Sequence, residues 1–282
     1  MRAKTQQIFD ERSPSSSASY PVASLSQGAI ALTRFSPLVR KGLRFRRCFE
    51  DVKRSIEPVE FEWYRYDSFT NLFYVQHLLK CSRLSLTEIV AGDAVLDLGA
   101  ADGALSFFLE SLGYRVDAVD FSGSNINGMQ GLRKLAAHFG SRVQIRDIDL
   151  DGRFVDFDGQ YGVAFFLGTL YHLKNPFYAL ERLSESARFC FLGTRVARLS
   201  ADRQIRLDSL PVAYLLDGEA CNGDATNYFI FSPPGLILLV KRAGWTIRAS
   251  VTSGASESDP ITSHGDERMF LLLERRAQTA SS

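Results

Sequence analysis

The stretch VLDLGAADGALSFFLESLGYRVDAVD, from Val95 to Asp120, decides how this chain is read. It begins inside a short apolar run, AVLDLGA from Ala94 to Ala100, with the length and make-up of a strand buried on both faces. DGALSFFLESL, Asp102 to Leu112, then sets apolar residues at helical spacing and stops at Gly113. YRVDAVD, Tyr114 to Asp120, supplies a second strand. Between the first strand and the helix, Gly99 and Gly103 bracket a turn. Such a turn needs backbone free of side chains so that amides can approach a ligand closely. Asp120 stands at the end of the second strand, 17 residues beyond Gly103, where a carboxylate can accept both hydroxyls of a ribose.

Outward from this unit the alternation continues. Upstream, the aromatic-rich segment beginning at Phe61 predicts a helix over about Asp67–Leu79. Downstream come a helix from about Asn125 to His138 and strands at Arg142–Ile148 and Tyr161–Gly168. A helix opens at Pro176–Leu183, and a fifth strand covers Ala187–Val196. A polar stretch from about Ala197 to Thr226 interrupts the pattern. A helix over Ser232–Ala243 and strands at Trp245–Val251 and Arg268–Glu274 then close it. Alternating strands and helices specify a mostly parallel α/β sheet. A nicotinamide dehydrogenase is excluded by detail: its Gly-x-Gly-x-x-Gly fingerprint needs glycines where Ala101 and Ala104 stand, and Asp97 is foreign to it.

The turn supplies Asp97, Gly99, Ala101 and Gly103 in the pattern Asp-x-Gly-x-Gly-x-Gly, with alanine for the middle glycine. From about Trp63 to the C-terminus the chain resembles class I S-adenosylmethionine-dependent methyltransferases. The resemblance implies a Rossmann-like, seven-stranded, mostly parallel sheet flanked by helices. It also implies S-adenosylmethionine as cofactor, with the turn against the methionine portion and Asp120 on the ribose. Asp147 and Asp149 would serve the adenine amino group while Ile148 covers the ring, and Leu167 and Gly168 would touch the cofactor. Two blocks, FLGTLYHLKNPFYALERL (Phe166–Leu183) and NYFIFSPPGLILLVKRAGW (Asn227–Trp245), are similar to the family that modifies the wobble uridine of tRNA. That similarity places Leu170, Tyr171 and His172 at the cofactor and matches Trp63 to an upstream aromatic residue. The carboxymethylating members hold their donor's extra carboxylate with upstream lysines. Between Glu57 and Leu79 no lysine matches, so a plain methyl donor is expected.

Tyr171 and His172 are the candidate catalytic pair, because an oxygen nucleophile must lose a proton and a placed base accelerates that step. The alternative is a packed histidine that closes the strand end. Arg195 and Arg198 are candidates for binding an acidic group on the substrate, against ordinary surface arginines. The polar interruption, with Asp208, Tyr214, Asp217, Glu219, Asn222, Asp224 and Asn227, reads as a substrate loop over about 197–230. An acidic loop favours a neutral or cationic small-molecule acceptor over nucleic acid.

Charge is unevenly spread. Residues 1–54 hold 11 Lys/Arg against 4 Asp/Glu, and the remainder 22 against 28. The cluster Arg40, Lys41, Arg44, Arg46, Arg47, Lys53 and Arg54 could attract RNA or simply be solvated beside an acidic body. Residues 1–30 are Ser- and Ala-rich without apolar periodicity and are expected to be disordered. Residues 31–60 read as a basic extension, 61–276 as the catalytic domain and 277–282 as a tail. The scattered Cys48, Cys81, Cys190 and Cys221 predict no metal site, and no apolar run is long enough to span a membrane. The expectation is a cytoplasmic enzyme. A non-catalytic cofactor-binding adaptor is the alternative from another class.

Overall fold

A computed structural model describes residues 23–24, 36–152, 155–157, 159–220, 224–262 and 266–277. The expected N-terminal tail therefore lies outside the described residues, except for Ala23–Ser24. In chain order the strands are β1 (Ala23–Ser24), β2 (Ala94–Leu98), β3 (Val116–Asp120), β4 (Gln144–Asp147) and β5 (Tyr161–Leu167). They continue with β6 (Ala187–Val196), β7 (Ala213–Leu215), β8 (Phe229–Phe231), β9 (Trp245–Gly254) and β10 (Glu267–Arg275). The helices are α1 (Pro37–Ser55), α2 (Asn71–Ser82), α3 (Leu86–Val90), α4 (Ala104–Ser111), α5 (Gln130–Phe139), α6 (Pro176–Ser186) and α7 (Pro233–Arg242).

The main path of the sheet runs β1-β9-β10-β6-β5-β2-β3-β4, with β8 beside β6 and β7 beside β8. β2, at the middle, is parallel to both β3 and β5. β10 lies antiparallel between β6 and β9. All seven expected strands are present, but the described sheet has ten. The additional β1, β7 and β8 have two or three residues each, too short to show a period in sequence.

Strand residues alternate between the two faces. Val95 joins a core with Phe107, Phe108, Val163 and Leu272, whereas Leu96 and Leu98 join an opposite core with Phe166, Leu180, Trp245 and Leu271. Covering both faces explains why AVLDL reads as an unbroken apolar run.

The basic extension is not a loose segment. It contains α1, capped by the Ser36 hydroxyl, which accepts from the Val39 amide. Val39, Gly42, Phe49 and Lys53 are buried on one face, and Gly42 lets Leu72 pack against the helix backbone. Arg40, Lys41, Arg44 and Arg47 are exposed on the other. So many charges obscure the apolar stripe in sequence. In the interruption, β7 pairs antiparallel with β8, so the stretch expected to be irregular holds a strand.

Candidate functional site

The ends of β2, β3 and β5 build one end of the sheet. Leaving β2, the chain takes left-handed backbone at Gly99 (φ 73°), Ala101 (φ 54°) and Gly103 (φ 83°). Close packing enforces two of these positions: a Cβ on Gly99 would lie 2.1 Å from the Thr169 hydroxyl, and one on Gly103 2.4 Å from Leu132. Ala101 carries its side chain at positive φ, a conformation that favours glycine.

Asp120 closes the turn. Its Oδ2 accepts from the Ala101 amide at 2.7 Å and its Oδ1 from the Phe121 amide at 2.8 Å. Burial raises its pKa, and those amides and nearby Asn125 pull it back down. Asn125 is itself buried. Its Oδ1 accepts from the Asn127 and Met129 amides, while its Nδ2 makes no hydrogen bond of ordinary geometry among the described residues. Beneath the turn, Asp97 accepts the Ser106 hydroxyl at 2.6 Å, and burial lifts its pKa to about 7.

The segment before α2 lies across this turn, held by Asp102, a residue the sequence reading passed over. Asp102 Oδ2 accepts from the Tyr64 amide at 2.8 Å and from Lys53 Nζ at 3.0 Å, and its Oδ1 accepts from Asn127 Nδ2 at 2.8 Å. Lys53 stands 4.8 Å from the Trp63 ring centroid. The Tyr64 hydroxyl accepts from the Ile126 amide at 3.1 Å, bringing Tyr64 over the loop that follows Asp120; burial raises its pKa to about 12. Trp63 Nε1 is buried without a hydrogen-bond partner among the described residues.

The adenine-side candidates divide. Asp147 accepts from the Ser122 amide at 2.9 Å, the Ser122 hydroxyl and amide together lower its pKa, and the Ile148 amide donates to the Asp120 carbonyl. Both therefore join the loop carrying Asp120. Exposed Asp149 instead accepts from the Asp151 amide inside its own turn.

At the end of β5, Leu167 and Gly168 (φ 90°) lead into a 3-10 turn over Leu170–His172. The Tyr171 and His172 rings lie 4.1 Å apart. Arg268, from β10, stands 5.9 Å from the Tyr171 ring centroid. Burial raises the Tyr171 pKa, and the Arg268 charge opposes it. His172 Nδ1 lies 2.9 Å from the Thr226 hydroxyl, and burial lowers its pKa while Asp224 raises it. Arg195, the cross-strand partner of Arg268, and Arg198 both have protein partners. Arg195 donates to the carbonyls of Asp259 and Thr262, and Arg198 makes a two-pronged pair with Glu267 and reaches Asp208. Arg268, Tyr64, Asn125 and Thr226 were not among the expected site residues, and Asp224 was expected only as part of the substrate loop. Each comes from a segment that only folding brings here.

A family model described as tellurite resistance protein TehB matches residues 65–173, from the segment before α2 through the turn that holds Tyr171 and His172. No curated protein matches the sequence. Among solved structures, the chain is similar to the N-terminal domain of EvdMO1 with SAH bound. That match has 17% identity and a TM-score of 0.50, over 82% of this chain and 97% of that one. It is also similar to an S-adenosylmethionine-dependent methyltransferase from Clostridium acetobutylicum, at 10% identity and a TM-score of 0.50, over 83% and 98% of the two chains. Strand order, direction and these likenesses agree: the chain carries the class I methyltransferase fold.

Proposed function

We propose that the protein is an S-adenosylmethionine-dependent methyltransferase acting on an oxygen of a small-molecule acceptor. The observation that carries the cofactor assignment is the placing of Asp120, an acceptor at the end of β3, beside the buried Asn125 amide, whose Nδ2 lies near Asp120 but meets no acceptor at ordinary hydrogen-bond geometry among the described residues. A ribose diol offers both donors and acceptors and matches the two. Trp63, Gly99, Ala101, Gly103, Asp120, Ile148, Leu167 and Gly168 would hold the cofactor, with Asp97 and Asp147 bracing the loops that carry it. Asp149 is the weakest member of the set, since its carboxylate caps its own turn. When bound, the cofactor supplies an electrophilic methyl group on sulfur.

The chain's own part is to orient the acceptor and take its proton. His172 sits where β5 ends, with a depressed pKa that keeps its imidazole neutral at neutral pH and free to accept a proton. The polar insertion supports a small acceptor, because loops at strand ends shape substrate pockets. Calorimetry with S-adenosylmethionine and with S-adenosylhomocysteine tests the reading. Binding of both is expected. Binding of NADH with no response to either would overturn it, and cofactor binding without turnover on any acceptor would favour the adaptor reading.

A second reading, modification of the tRNA wobble uridine, draws on the exposed basic face of α1 formed by Arg40, Lys41, Arg44 and Arg47. Polyanion binding there would depend steeply on salt.

A further inference from the structure

We infer that the polar insertion completes the catalytic base: Asp224 and Thr226 act as positioning residues that hold His172 in the Nδ1–H tautomer and leave Nε2 as the proton acceptor. The inference rests on the methyltransferase reading for its chemistry, but its geometry stands separately.

The argument is one of donors and acceptors. The Thr226 hydroxyl lies 2.6 Å from Asp224 Oδ1 and 2.9 Å from His172 Nδ1. An ionised carboxylate only accepts, so the hydroxyl proton of Thr226 is committed to Asp224. Its oxygen then has only lone pairs to offer His172. The Thr226 carbonyl, 3.3 Å from the same Nδ1, can also only accept. Two acceptors facing one ring nitrogen place the proton on that nitrogen. Among the described residues no protein group bonds Nε2. The proton of the acceptor hydroxyl would pass to Nε2, and the electron pair it leaves on oxygen would form the new bond to the methyl carbon as that carbon's bond to sulfur breaks, its electron pair going to the sulfur. The imidazolium that results would be stabilised by the charge of Asp224, which faces it across Thr226, and would return its proton to solvent.

Two further contacts keep this arrangement in register. The Tyr228 amide donates to the Tyr171 carbonyl at 2.8 Å, and Lys174 Nζ lies 5.5 Å from the Tyr228 ring centroid. Both pin the far end of the insertion to the turn that carries His172. The charged and titratable groups around the imidazole oppose one another. Asp224, from the insertion, favours the imidazolium; Arg268, from β10, disfavours it; the Tyr171 ring lies beside the imidazole, tilted by 41°. The balance suits a base that must be neutral before the step and charged after it.

The tautomer is directly readable by long-range proton–nitrogen NMR on the full chain labelled at histidine, with His172→Gln assigning the signal. The expected result is a protonated Nδ1 and a bare Nε2 in the wild type. Thr226→Val, which removes the nearer acceptor and leaves only the carbonyl at 3.3 Å, should lower the share of that tautomer, and Thr226→Ser, which keeps the hydroxyl, should restore it. Asp224→Asn should move the His172 titration to lower pH, because it removes the charge that favours the imidazolium. A wild type dominated by the Nε2–H form, or a tautomer indifferent to Thr226→Val, would overturn the inference. S-adenosylhomocysteine calorimetry on the same samples separates the two ideas. Loss of cofactor binding in the wild type would sink the methyltransferase reading and leave the tautomer result standing.

Discussion

Lys53 and Asp102, 49 residues apart in sequence, meet at 3.0 Å in the interior, where the ammonium of α1 enters the glycine turn that follows β2. The contact ties a helix outside the α/β alternation to the loop expected to face the cofactor. Asp102 also holds the Tyr64 and Asn127 groups, so its carboxylate gathers three segments around one buried charge.

Removing one partner of such a pair leaves the other charge buried, so Lys53→Met should destabilise the fold by about 3–5 kcal/mol. Asp102→Asn added to it should recover part of the loss, since the amide needs no counter-charge. Urea melts of the single and double variants check this. A Lys53→Met protein as stable as wild type would show that the pair bears no weight.

Asp120→Ala should weaken S-adenosylhomocysteine by about tenfold to a hundredfold, the worth of roughly 1.5–3 kcal/mol for hydrogen bonds to a charged group. Calorimetry reads the change, and circular dichroism should confirm that the sheet persists. Unchanged affinity would remove Asp120 from the ribose site.

Asp97 predicts a pH dependence of stability. Its folded pKa, about 7, lies above the ordinary carboxyl value of 3.8, so the folded state binds its proton more tightly than the unfolded state. Stability should therefore fall as pH rises from about 4 to 7, by something on the order of 3 kcal/mol from this group. Burial raises Asp120 as well and adds to the wild-type slope in the same direction. The comparison with Asp97→Asn, whose amide oxygen can still accept the Ser106 hydroxyl, isolates Asp97. Melting temperatures across that range should decline less steeply in the variant. Parallel curves would contradict the assignment.

The basic face of α1 calls for charge reversal and not deletion, because Val39, Phe49 and Lys53 on the same helix are buried in the core. Burying a side chain such as phenylalanine or valine contributes about 1.5–3 kcal/mol, so removing residues 31–54 would unfold the protein and answer nothing about RNA. Arg44→Glu with Arg47→Glu should leave melting nearly unchanged and abolish whatever RNA binding the chain shows at low salt. Filter binding across a salt series checks it. Retained binding would discharge the helix from that role and remove the support for a tRNA substrate.

The sequence by itself determined the central sheet and one wall of the site. The β2 run, the glycines at 99 and 103 and Asp120 lie within 27 consecutive residues. A strand–turn–helix–strand unit forms from neighbours in sequence, and its period and turn residues are visible locally. Tyr171 and His172 were legible for the same reason, standing directly after an apolar strand.

Tertiary structure alone decided what those residues face. The Lys53–Asp102 pair, Tyr64 bonding the Ile126 amide, Arg268 beside Tyr171 and Thr226 on His172 all join segments 49 to 97 residues apart. No periodicity links such partners. The contacts are made through polar groups, aromatic rings and backbone amides, so the hydrophobic pattern that announces a core does not announce them. They are fixed instead by hydrogen-bond geometry, which exists only after the sheet has brought its strand ends together. The same limit hid α1, whose buried stripe of Val39, Phe49 and Lys53 includes a charge and is outnumbered by exposed arginines. Only the carboxylate of Asp102 waiting in the core makes that lysine an interior residue.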